Sequence, residues 1–102
     1  MDTLRLSRLA EADLMEIGAY TLRTWGPEQT RRYLTDLETA CWKLALNPAG
    51  GRACDHIRPG LRRLEHGRHV VFFRADSQGV FVSRILHDRM LPAQNIFGDE
   101  EA

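Results

Sequence analysis

The sequence predicts an α+β domain. A short N-terminal strand leads into an antiparallel two-helix hairpin, which packs on a mostly antiparallel sheet with a C-terminal three-stranded meander. Three observations predict it. Apolar residues recur at steps of three and four between residues 10 and 44, the spacing of a helix with one buried stripe. Two runs rich in β-branched and aromatic residues flank Asp76–Gly79, and residues 61–66 before them read as a third strand. The punctuation between the runs, Gly26-Pro27, Gly67 and Asp76-Ser77-Gln78-Gly79, is that of tight turns.

Taken in order, Thr3-Leu4-Arg5-Leu6-Ser7 alternates as a strand with Leu4 and Leu6 inward. Ser7 can cap a helix whose stripe is Ala10, Leu14, Ile17, Thr21 and Trp25, with Glu11 and Asp13 near the positive end of its dipole. Gly26 ends that helix and Pro27 opens the next. The second helix carries Tyr33, Leu37, Ala40, Cys41 and Leu44 and stops before Asn47-Pro48. Leu22, Leu34, Trp42 and Leu46 lie off both stripes and form either a second core edge or a patch for a partner. Residues 48–60 read as a loop, 61–66 as a strand, and the two runs around Asp76–Gly79 as the central hairpin. Neither run of that hairpin alternates cleanly, so both of its faces are expected to be covered. Residues 1–102 are expected to form a single domain, with about 91–102 a tail that frays after Asn95-Ile96-Phe97.

Composition excludes several classes. No apolar run approaches the roughly 20 residues of a membrane span, and no secretory signal opens the chain, so a cytoplasmic protein without membrane contact is expected. The two cysteines, Cys41 and Cys54, read as thiols rather than a disulfide. The formal net charge is zero, but residues 52–74 hold six arginines against Asp55 and Glu65. Every basic residue except Lys43 is arginine, which suits a bidentate grip on carboxylate or phosphate. Arg74 and Arg84 sit within apolar strands and need partners; at least one is expected to be structural, with Asp13 and Glu16 as possible acids. His66-x-x-His69 and Cys54-Asp55-His56 have metal-like spacing. Residues three apart along consecutive strands are expected to face apart, and no second pair completes a tetrahedral set. No metal or cofactor is expected.

Several local phrases then stand in a telling order: Leu6-Ser-x-x-Ala10-x-x-Asp13-Leu14-x-x-Ile17, Trp25-Gly26, Pro48-x-x-Gly51-Arg52, Gly60-Leu61-Arg62, His69-Val70-Val71-Phe72-Phe73-Arg74 and Arg84-Ile85-Leu86-His87-x-Arg89-Met90. Over roughly residues 4 to 90 this pattern resembles the RelE/ParE superfamily, the toxic halves of bacterial type II toxin–antitoxin pairs, and looks closest to the ParE branch. The resemblance implies a non-catalytic toxin that inhibits DNA gyrase and is neutralised by a ParD-like antitoxin, with DNA engaged only through antitoxin or gyrase. Its alternatives are a RelE-like ribosome-dependent mRNA endonuclease, or a toxin-fold protein that only binds its antitoxin.

The resemblance also sorts candidate residues. A RelE-like nuclease would use His87 as acid or base, with Arg84 or Arg68 on the phosphate. Many members of that branch have a tyrosine near the C-terminus. Here the tyrosines are Tyr20 and Tyr33, both in the helices, and the favoured reading of His87 is an ordinary strand-end residue. The C-terminal segment of the antitoxin is expected along the hairpin, covering Leu22, Trp25, Leu34 and Trp42. Arg62, Arg63 and Arg89, at strand ends, are the expected contacts to the target.

Overall fold

The computed structural model of the chain describes residues 3–90 and residue 97. The elements run β1 (Thr3–Leu6), α1 (Arg8–Leu46), a single 3-10 turn (Pro48–Gly50), β2 (Arg52–Ala53), β3 (Arg62–His66), β4 (His69–Asp76) and β5 (Gly79–His87). The five strands form one sheet in the order β1-β5-β4-β3-β2. β1 lies parallel to β5 and every other pairing is antiparallel. The expected class and meander are present.

The two expected helices are present as the two arms of α1, which meet without a loop at the non-helical Gly26. That residue has φ 86° and ψ 173°, a conformation open to glycine and strained for other residues, and Pro27 starts the second arm with its φ already set. The arms fold against each other: a Cβ on Gly18 would come within 3.5 Å of Leu34 Cδ1. The hairpin expected from the sequence is therefore made without a separate loop. Along the stripes Ala10, Ile17, Thr21, Leu37, Cys41 and Leu44 are buried, whereas Trp25, at the bend, is 66% exposed. The segment read as a loop also supplies the edge strand β2, whose two residues pair with Arg62 and Arg63.

Both sheet faces are covered. On one, α1 packs Ile17, Leu37, Cys41 and Leu44 onto Val71, Phe73, Val80, Val82 and Ile85. On the other, Cys54, Leu61, Val70, Phe72, Leu86 and Phe97 form a smaller cluster. Phe97 stacks edge-on against Phe72 at 5.5 Å, so this residue of the expected tail is a core residue; the rest of the tail lies outside the described residues. Cys41 and Cys54 are free thiols on opposite faces. Burial pushes the Cys41 thiol up to about 11, with help from the Glu38 charge, which keeps it protonated and inert.

The irregular alternation of β5 has a local cause. Phe72 pairs with Arg84 and Phe73 with Val82, so Ser83 is an extra residue in β5, a β-bulge. The bulge resets the alternation and lets Val82 and Ile85 enter the same cluster. Gly79 closes the hairpin, where Asp76 Oδ1 accepts the Gln78 and Gly79 N–H groups. A Cβ on Gly79 would lie 2.1 Å from the Thr3 carbonyl oxygen, so any side chain here would push β1 off the sheet.

β1 ends at Leu6, opposite Val82, leaving the rest of that edge of β5 without a strand partner. The start of α1 takes over. Ser7 N–H donates to the Val82 carbonyl (2.9 Å), and Ser7 Oγ donates to the Ser83 carbonyl (2.7 Å) while accepting the helix-capping bond from Ala10 N–H. Asp13 then accepts the Ile85 N–H (2.9 Å) and grips Arg84 through Nε and Nη2, both at 2.8 Å. Arg84 is the structural arginine expected and Asp13 its acid. Arg74 instead donates Nη1 to the Pro59 carbonyl (2.8 Å).

The Arg84 and Asp13 side chains are only 17% and 12% exposed, so removing one leaves the other charge largely buried without its partner. Arg84→Met is expected to lose about 3 kcal/mol in a urea titration, and Arg74→Met clearly less. Equal melting of both variants and the parent would remove the structural role given to Arg84.

Candidate functional site

The turn Gly67-Arg68 is only two residues long, so His66 and His69 are direct cross-strand partners, and His69 is in turn paired with His87 on β5. Three histidines thus sit side by side across β3, β4 and β5. This corrects the expectation that His66 and His69 face apart: the chain reverses between them, and residues flanking a two-residue turn share a face. They stand in a row, and among the described residues no three His, Cys, Asp or Glu side chains are grouped to hold a metal.

Tyr33 reaches this row from the second arm of α1. Its ring lies 5.8 Å from His66 and 5.6 Å from His69, and its hydroxyl is 2.6 Å from His69 Nδ1 and 3.3 Å from the His66 carbonyl. His69 and His87 meet edge to face at 5.6 Å. Asp88 N–H donates to the Arg68 carbonyl (2.8 Å), which ties the end of β5 to the β3–β4 turn and sets Arg89 beside Arg68. Arg89 N–H and Asp88 Oδ1 both lie 3.2 Å from His87 Nδ1. Tyr33, His69, His87, Arg68 and Arg89, with Tyr20, Trp25 and Gln29, line an open cavity of about 470 Å³ between the bend of α1 and one end of the sheet.

Burial, followed by the neighbouring His87, holds the His69 imidazole below its ordinary value; Asp88 partly opposes this. Burial likewise pushes the Tyr33 phenol up. A neutral imidazole and a protonated phenol therefore share the short contact at neutral pH. The arrangement can donate hydrogen bonds and relay a proton, and its two arginines can hold an anion.

The sequence-predicted site residues separate into groups. His87 and Arg68 do share the cavity, but Arg84 is held by Asp13. Arg62 donates Nη2 to the Gly51 carbonyl (2.6 Å), and Arg63 joins Arg52 on the Glu65 carboxylate, which the two cations hold below its usual range. Arg62 and Arg63 open β3 and Arg89 stands beyond its far end, about 13 Å of strand away. The three do not make one patch. Of the four expected antitoxin contacts, Leu22 and Leu34 line a second, apolar groove of about 650 Å³ between the arms of α1 and β1, with Leu4, Leu6, Leu14 and Met15. Trp25 belongs to the polar cavity, and Trp42, though 45% exposed, lines neither. Tyr33, His66 and His69 are the site residues that sequence reasoning missed. The short turn at Gly67-Arg68 was the available signal, because it places its flanking histidines opposite each other.

A bent helical hairpin on a mixed five-stranded sheet is the fold of known type II toxins. The chain superposes on a chain of the chromosomal ParDE system of P. aeruginosa with a TM-score of 0.72 and 26% identity, covering 85% of this chain and 96% of that one. It shares the fold with the toxin–antitoxin complex RelBE2 of Mycobacterium tuberculosis (TM-score 0.64, 20% identity, 83% and 95% covered). Residues 4–92 match the family described as the ParE toxin of the type II toxin–antitoxin system parDE, and the chain belongs to that family. Toxin ParE1 of Mycobacterium tuberculosis is 45% identical over 92 residues, 89% of this chain and 94% of the relative. Toxin ParE1 of Caulobacter vibrioides is 39% identical over 90 residues, 88% and 93% of the two chains.

The depressed His69 pKa has a sign that can be measured. The unfolded chain, with histidine near 6.5, takes up this proton before the folded chain does. His69 therefore contributes stability above pH 6.5 that is lost as pH falls through its lower folded value. Thermal melts should show the midpoint falling below that pH, and His69→Asn should flatten this part of the profile. An unchanged profile would contradict a half-buried neutral imidazole.

Proposed function

We propose that this chain is a toxin that acts by binding DNA gyrase, without catalysis, and that its antitoxin silences it by filling the apolar groove of α1. The family match across residues 4–92 carries the first half of the reading. The groove carries the second. Met15 and Leu22, 77% and 50% exposed, leave an apolar surface beside the edge strand β1, suited to an apolar peptide segment that orders on binding. No helix among the described residues is long and apolar enough to cross a membrane, in keeping with a cytoplasmic site of action.

Purified toxin should inhibit supercoiling by gyrase and leave mRNA on translating ribosomes uncut; site-specific cuts that disappear in His87→Ala would favour the nuclease instead. Leu22→Asp, at an exposed groove position, should weaken antitoxin binding at least tenfold, about 1.4 kcal/mol, whereas Trp42→Ala should leave it unchanged. The reverse pattern would move the antitoxin out of the groove.

A further inference from the structure

The apolar groove accounts for one side of the hairpin and leaves the polar cavity at the bend of α1 without a role. Its lining is chemically mixed. Trp25 and Tyr20, 66% and 59% exposed, offer flat aromatic faces, while Arg68 and Arg89 extend from two segments clipped together by the Asp88–Arg68 backbone bond. His87 adds an imidazole to the same lining. One carboxylate faces the same ring, with Asp88 Oδ1 3.2 Å from His87 Nδ1. The two arginines outnumber it.

We propose that this cavity binds a nucleoside monophosphate, free or as the phosphorylated end of a single strand. A guanidinium pair forks onto phosphate oxygens, and an exposed indole or phenol ring stacks on a base whatever its sequence. An acidic peptide would use the arginines but leave the aromatic faces idle; an apolar one would leave the arginines and His87 without partners. The volume of about 470 Å³ admits one nucleotide rather than a folded partner. The proposal does not rest on the gyrase reading.

Trp42→Phe leaves Trp25 as the single tryptophan and a reporter inside the cavity. Titrating that protein at low salt with AMP should give saturable fluorescence quenching, with adenosine at least tenfold weaker and inorganic phosphate competing. Arg68→Gln with Arg89→Gln should lose at least tenfold in AMP affinity, and Arg63→Gln, outside the cavity, should lose nothing. The imidazole NMR signals of His69 and His87 in the unaltered chain should shift with the same titration, so the result does not hang on one variant. A 5′-phosphorylated oligonucleotide binding tenfold tighter than AMP would assign the strand end, and equal binding the free nucleotide. No saturable quenching and no imidazole shift, or full AMP affinity in the double arginine variant, would overturn the proposal. Because the AMP titrations contain no gyrase, failure here is distinguishable from failure of the gyrase reading.

Discussion

The carboxylate of Asp13 is the constraint on which this architecture turns. β1 covers β5 only as far as Val82, and an open strand edge next to a buried face is both unsatisfied and prone to wrong pairing. Ser7 and Asp13, on successive turns at the start of α1, supply the missing partners to Val82, Ser83 and Ile85. The same carboxylate neutralises Arg84, so one acid seals the edge, fixes the entry angle of the helix and compensates a half-buried charge. An ion pair in this setting adds little net stability over an apolar pair, but losing one member is expensive. Its contribution is to set where α1 lies on the sheet.

That position determines what the two sides of the hairpin can do. With the first arm anchored at Asp13 and the bend set by Gly26-Pro27, the second arm delivers Tyr33 to the histidine row at one end of the sheet. Away from that end the arms and β1 leave the apolar groove. On our reading the groove serves the antitoxin and the surface beyond it serves the target. The polar cavity opens at the bend, with Arg68 and Arg89 in its lining.

Much of the fold was legible because local signals agreed with one another. Ser7 is the helix cap, Gly26-Pro27 the bend, Asp76–Gly79 the hairpin turn, and Asp13 the partner of a strand arginine. What failed to show depended on partners distant in sequence. The β-bulge at Ser83 leaves no mark except an alternation that does not hold, and β2 is too short to have a pattern. Trp25 follows the helical spacing of its stripe but comes after the arm has run out of sheet, so periodicity placed it in a core it does not enter. The histidine row was hidden because His66 and His69 were measured along the chain rather than across a turn. The arginines of residues 52–74 suit a grip on carboxylate or phosphate, and the carboxylate that Arg52 and Arg63 hold is the chain's own Glu65, while Arg62 holds a loop carbonyl.

A toxin that works by occupancy and one that works by turnover differ in dose. The reading advanced for this chain is occupancy of gyrase, and the most direct measurement is the extent of supercoiling inhibition as the ratio of toxin to gyrase is raised at gyrase concentrations well above the dissociation constant. Inhibition that rises linearly and levels off near a fixed small ratio, independent of incubation time, is the predicted result. Complete loss of gyrase activity with a trace of toxin, deepening with time, would show a catalyst and contradict the account.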